Sequence, residues 1–125
     1  MSHSQRALLI VDHGSRNANA NEAIAGFAAR VASERDDWRV VHAHMELAQP
    51  DVPTTIDVLV SEGVTEIHVH LHFLGRGYHV RETIPELMKA AQARHPHLRI
   101  TVSDPIGEHP GLVDLVLESL LPIEG

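Results

Sequence analysis

Apolar and polar positions along the 125-residue chain fall into eight blocks that alternate between two periods. Ala7, Leu8, Leu9, Ile10 and Val11 form an unbroken apolar run that stops at Asp12-His13-Gly14-Ser15-Arg16-Asn17. Such a run, β-branched at its end and followed by turn residues, predicts a strand covered on both faces. Asn21–Arg35 places Ile24, Phe27, Ala28, Val31 and Ala32 at helical spacing, with Asn17 or Asn19 available as the cap. Trp38–Glu46 alternates again: His42, His44 and Glu46 share one face, and Val41, Ala43 and Met45 the other. Pro50 and Pro53 open a second helix that carries Ile56, Leu59 and Val60 and closes at Gly63. In Thr65–Phe73, Ile67, Val69, Leu71 and Phe73 alternate with His68, His70 and His72. The loop Leu74–Thr83 leads to a third helix, with Thr83 as its expected cap and Pro85 in the first turn, which runs to about Arg94. Leu98–Ser103 is the fourth strand, Asp104–Gly111 a polar turn, and Leu112–Leu121 the last helix, with Pro122 beyond it.

Strictly alternating strands and helices imply a parallel sheet with right-handed crossovers and helices on both faces. The expected fold is therefore α/β: one doubly wound, four-stranded parallel sheet of order 2-1-3-4, with all of 1–125 in a single domain. The topological switch point falls between the first and third strands, where open α/β sheets bind ligands. The loops that follow those two strands carry His13 and His79.

Composition narrows the chemistry. The formal net charge of −7 argues against nucleic acid and anionic membrane surfaces, which need a basic face. Aromatic residues make up 3% of the chain, so base-stacking platforms are not expected. The absence of cysteine removes disulfides, thiolate nucleophiles and thiolate metal sites together. The apolar run near the start is too short for a signal peptide or a membrane span, and a cytoplasmic protein is expected. Eleven histidines is an unusual number for this length, and histidine is both the commonest metal ligand and the side chain that titrates near neutrality.

The carboxyl ends of the four strands gather His13, Ser15 and Arg16; Glu46; Arg76, His79, Arg81 and Glu82; and Glu108 and His109. The set contains no lysine and no hydroxyl backed by a base. Imidazoles and carboxylates of this kind can hold a divalent metal loosely and take up protons, while arginine forks pair with carboxylates. Zn, Co, Ni, Fe and Cu all accept such ligands.

The order of these segments is recognisable. HGSRN after the first strand, MELAQP after the second, FLGRGYHVRETIP after the third and the P-x-G-x-HP of Pro105–Pro110 after the fourth resemble the CbiX/SirB family of sirohydrochlorin chelatases. The match runs from about Leu8 to Leu120, and the length is similar to the short form of the family, in which one domain pairs as a homodimer. The resemblance implies insertion of Co²⁺, most readily, or of Fe²⁺ or Ni²⁺ into a sirohydrochlorin-type tetrapyrrole for cobalamin or sirohaem synthesis, without a nucleotide. Position by position, His13 and His79 match the family's two metal-binding histidines, and Glu46 its acidic residue. Catalysis is thus expected from His13, His79 and Glu46, with His13 and His79 as metal ligands. Arg16, Arg76, Arg81 and Ser15 are the expected contacts to the macrocycle's carboxylates. The sequence departs from the family pattern at Asp12, where a small residue is usual, and at Thr83, where an acidic one is usual with Glu82 adjacent. It departs again in the histidines of the second and third strands, which are mostly apolar elsewhere.

Other readings remain open at this level. His13 can serve only the hydrogen bonds of its turn, and Glu46 can be a polar strand terminus. The third-strand histidines fit a solvated or dimer-facing sheet surface, or a metal-loading stripe. His109 can be a helix-start residue, and Arg94, His95 and His97 a solvated helix end. A non-catalytic metal or tetrapyrrole carrier would share the same fold. A histidine phosphatase also begins with a strand ending in His-Gly, but Asp12 beside His13 would repel phosphate.

Overall fold

The structure, a computed structural model, describes residues 5–120, with the side chain of His79 outside the described set. Four parallel strands form one sheet in the order β2-β1-β3-β4, as expected: β1 is Arg6–Asp12, β2 Arg39–His44, β3 Glu66–Leu71 and β4 Arg99–Val102. The central strand pairs on both sides, with Val11 level with Ala43 on β2 and with Leu71 on β3. The pairing outlasts the strands, because Met45 N–H donates to the Asp12 carbonyl at 2.9 Å and His72 N–H to the Val11 carbonyl at 2.8 Å. All the loops that follow the strands therefore leave from one end of the sheet.

Period-2 alternation sorts the strand residues between two unequal cores. Leu9, Val11, Ala43, Ile67, Val69 and Leu71 are buried on one face. Helix α2 (Val52–Ser61) covers them with Ile56 and Leu59, and helix α3 (Ile84–Arg94) with Ile84 and Ala91. On the other face, Ile10 packs with Ile24 and Ala28 of helix α1 (Ala18–Glu34). The histidines of β2 and β3 lie on this α1 face, as their alternation requires. It is covered by one helix and is only partly dry: His42, His70 and His72 are half-buried, whereas His44 is 1% exposed.

Several boundaries differ from those expected. Asn17 caps α1, accepting the Asn19 N–H, so the helix starts at Ala18, a turn before Asn21. Asp51 caps α2 through the Thr54 N–H, and Pro50 stands before the helix. Thr83 is not a cap: its backbone is helical and its side chain makes no capping bond. Residues 79–83 form a wide π turn that feeds directly into α3, which removes the need for a break there. Ile106–Glu108 is a 3₁₀ turn inside the expected polar loop. Helix α4 covers Gly111–Glu118, and the expected end at Leu121, with Pro122, lies outside the described residues.

Helix α4 buries none of its residues. Val113, Leu115, Val116, Leu117 and Leu120 are between 53% and 63% exposed. Five large apolar side chains on one short segment exceed the scattered exposure of an ordinary surface.

The imidazoles of the α1 face make stability depend on pH. Burial and the neighbouring His44 hold His42 below the ordinary imidazole value of 6.5, against the opposing pull of Asp12. Burial, His72 and His68 do the same for His70. An imidazole whose pKa is depressed in the fold binds fewer protons than in the unfolded chain, so its contribution is present above about 6.5 and lost as pH falls below it. Asp51 and Asp57 are held below 3.8 and lose their contribution only in stronger acid. Urea midpoints should therefore fall between about pH 7 and pH 5, and the fall should be smaller in a His42→Gln/His70→Gln variant.

Candidate active site

The site is built around Gly14. Its backbone has φ +90°, a region that side chains rarely adopt, and an added Cβ would lie 1.9 Å from the Glu46 carbonyl oxygen. Glycine thus lets the loop after β1 press against the loop after β2. The Glu46 N–H donates to the His13 carbonyl at 3.1 Å, so these two expected site residues are neighbours through the backbone. Both side chains are exposed. Leu47, the next residue, has φ +72°, an uncommon conformation for a non-glycine and one found where a turn is held by its surroundings.

The His13 ring packs against Phe73, with ring centroids 4.3 Å apart and planes tilted by 50°. Phe73 is buried, so it provides a fixed wall for an exposed imidazole. Alternation groups Phe73 with Ile67, Val69 and Leu71 and does not single out this buttress. Its one signal was position, at the end of the strand beside β1.

Asp12, a departure from the family pattern, has a partner in a second departure. Its Oδ1 lies 2.7 Å from Nδ1 of the buried His44. An ionised carboxylate only accepts, so His44 Nδ1 carries the proton in this pair. Asp12 and His44 are level across β1 and β2, and the two side chains satisfy each other. The same carboxylate that precedes His13 is therefore committed to the fold.

Ser15, expected to touch substrate, is tied to the start of α1. Its hydroxyl accepts the Asn17 N–H at 2.9 Å, and its carbonyl accepts from Asn21 Nδ2 at 2.7 Å. The Ser15 N–H in turn donates to Asn21 Oδ1 at 3.0 Å. The three expected arginines occupy two different states. Arg76 bonds Asp104 at 2.5 Å and Glu108 at 3.0 Å, and these carboxylates, Glu108 first, hold its guanidinium above the usual value. The side chains of Arg16 and Arg81 are exposed and make no hydrogen bond or ion pair among the described residues. Gly107 completes the junction beneath Arg76: its N–H donates to the Phe73 carbonyl at 3.0 Å, and a Cβ there would fall 1.8 Å from the Leu74 carbonyl oxygen. His109 Nδ1 accepts the Gly111 N–H at 2.9 Å, which is the helix-start reading. His79 stands at the start of the π turn in the loop after β3, on the same end of the sheet as His13.

Exposed apolar groups share this end. Leu74 is 77% exposed and Tyr78 69%, and both flank Arg76 in the loop after β3. The cationic cluster at the opposite end behaves differently: His95 and Arg94 both bond Asp57, at 2.7 Å and 3.2 Å, as a surface network.

The CbiX family model matches residues 7–122. The chain belongs to the CbiX family. Among relatives of this CbiX chain, the chloroplastic sirohydrochlorin ferrochelatase of Arabidopsis thaliana is 32% identical over 110 residues, which span 87% of this chain and 48% of the plant protein. The sirohydrochlorin cobaltochelatase of Methanococcoides burtonii is 29% identical over 124 residues, 93% of this chain and 95% of the archaeal one. The crystal structure of the sirohydrochlorin chelatase SirB from Bacillus subtilis subspecies spizizenii in complex with cobalt superposes with a TM-score of 0.80 at 30% identity. That superposition covers 90% of this chain and 48% of SirB. The CbiX chain thus spans about half the length of the plant and Bacillus relatives and nearly all of the archaeal one.

Two substitutions test the geometry. Asp12→Ala leaves the buried His44 Nδ1–H without an acceptor and should cost about 1–3 kcal/mol in urea denaturation, with Asp12→Asn, which keeps an acceptor oxygen, costing less. Gly14→Ala must push the loop after β1 off the Glu46 carbonyl, and should cost roughly 2 kcal/mol or more while displacing His13.

Proposed function

We propose that this chain is a sirohydrochlorin chelatase that inserts a divalent metal, Co²⁺ first and Fe²⁺ or Ni²⁺ otherwise, into a sirohydrochlorin-type tetrapyrrole for cobalamin or sirohaem synthesis. The observation that carries the reading is the conjunction at one end of the sheet. There an exposed imidazole backed by Phe73 sits beside Glu46, and exposed Leu74 and Tyr78 share that end with the unpaired cations Arg16 and Arg81. A flat macrocycle with carboxylate arms offers an apolar face to the first group and anions to the second. The names of the Arabidopsis, Methanococcoides and Bacillus relatives point to the same reaction.

In this reading His13 and His79 hold the metal, with Glu46 as accessory ligand or proton acceptor. Insertion releases two pyrrole protons while the metal exchanges its ligands, and one ring nitrogen cannot ligate and accept a proton at the same moment. A separate carboxylate resolves that conflict. Two imidazoles leave most of the coordination sphere open, as a metal that must be handed on requires. Arg16 and Arg81 take the substrate carboxylates directly. Arg76, already doubly paired, holds the loop after β4 in place.

The working unit is a homodimer in the cytoplasm. One domain of this fold presents one side of a macrocycle, and the match spans 48% of the Arabidopsis protein and 48% of SirB. The apolar side chains of α4 give a second copy a surface to cover. Among the described residues no helix is long and apolar enough to cross a membrane.

Anaerobic mixing of the protein with sirohydrochlorin and each metal, followed by the macrocycle's absorbance, tests the reaction. His13→Ala and His79→Ala should each slow insertion by about 100-fold or more with an unchanged far-UV spectrum. Full rates in both variants would remove these residues from the site. Metal binding without any acceleration would leave a carrier.

A further inference from the structure

The third-strand histidines have no part in the reaction as assigned above. His70 Nε2 and His72 Nδ1 lie 3.1 Å apart on the α1 face of the sheet. Residues two apart on a strand share a face, and here both rings lean toward each other, with centroids 5.4 Å apart. Two nitrogens that each sit about 2.0–2.1 Å from one ion, and 3.1 Å from each other, subtend roughly 100° at that ion, between octahedral and tetrahedral angles. The spacing that serves as an N–H···N hydrogen bond is therefore also the bite of a two-imidazole chelate.

We infer that His70 and His72 form a second site for a divalent transition metal, separate from His13 and His79, on the α1 face of the sheet. Among the described residues no three His, Asp or Glu side chains converge on one point, so water completes the coordination sphere and the ion exchanges readily. Binding needs no proton loss: whichever facing nitrogen carries the hydrogen, His70 Nε2 or His72 Nδ1, passes it to the other nitrogen of its own ring, and both facing nitrogens then present lone pairs. Burial and the neighbouring imidazoles keep His70 in the neutral form that ligates.

The surroundings suit an ion in transit. The Phe27 ring stacks against His72 at 4.8 Å and fixes its orientation. His72 opens on a cavity of about 300 Å³ that it shares with Asp12, Phe27 and Arg30. Arg30 opposes a cation there, but its guanidinium lies over the Phe27 ring, and the Asp12 carboxylate offsets it. His72 lies beside Asp12, its N–H bonded to the Val11 carbonyl, so the site is one residue step along β1 from His13. Its role as a loading station rests on the chelatase reading. Its existence does not.

The test titrates Ni²⁺ alone into the full chain, with stoichiometry read by calorimetry. Wild type should bind two ions per chain, His70→Gln/His72→Gln and His13→Ala/His79→Ala one each, and the fourfold variant none. Unchanged stoichiometry and affinity in His70→Gln/His72→Gln would overturn the site and reduce the 3.1 Å contact to a hydrogen bond. Should that variant not fold, substoichiometric Ni²⁺ on wild type decides: paramagnetic broadening of the His70 and His72 ring signals supports the site, and sharp signals refute it. If the site loads metal, its loss should slow insertion by about 10-fold at limiting metal, with no change at saturating metal. A two-ion stoichiometry without insertion would reject the chelatase and keep the site. Insertion with one ion in wild type would do the reverse.

Discussion

Everything at the working end of this molecule depends on β1 being paired on both sides. A strand held between two parallel neighbours cannot slip without turning every side chain to the wrong face, and its register with β2 and β3 is continuous from Ala7 to Val11. From that fixed line the chain delivers Asp12 to a partner on β2, His13 to a wall just beyond β3, and Gly14 to a contact with the loop after β2. The loops beyond β3 and β4 are then secured to each other by Gly107 and Arg76.

The strand order and the placement of the loops were legible because they rest on short-range physics. Unbroken apolar runs, alternation and helical spacing each act within one element, and right-handed crossovers leave few ways to join them. The rest was not legible, because turn geometry or contacts between distant segments decide it. Thr83-Ile84-Pro85 looks like a capped helix start, yet the preceding residues enter the helix through a π turn, and the hydroxyl makes no cap. Asp104 and Arg76 are 28 positions apart, and nothing in either segment announces the bond between them. The exposed face of α4 was likewise invisible, since an amphipathic pattern states that a face is apolar and not what covers it.

The departures from the family pattern belong to one another. Asp12 in isolation puts an extra carboxylate beside His13, the proposed metal ligand. With His44 opposite, it becomes the partner of a buried imidazole, and the strand histidines that accompany it line a polar seam on the α1 face. Such a seam gives up some hydrophobic burial on the α1 face, which is already covered by one helix only. The larger core, under α2 and α3, carries the apolar mass that compensates.

The double pairing of Arg76 has a kinetic corollary. Two carboxylates overcompensate its single positive charge, so in a molecule of net charge −7 long-range attraction is reserved for cations. A divalent ion would be drawn in from solution, while a polycarboxylate would be repelled until it came within reach of Arg16 and Arg81. Added salt would then slow the arrival of the first and hasten that of the second. Ionic strength, rather than affinity, would set which of the two meets the protein first.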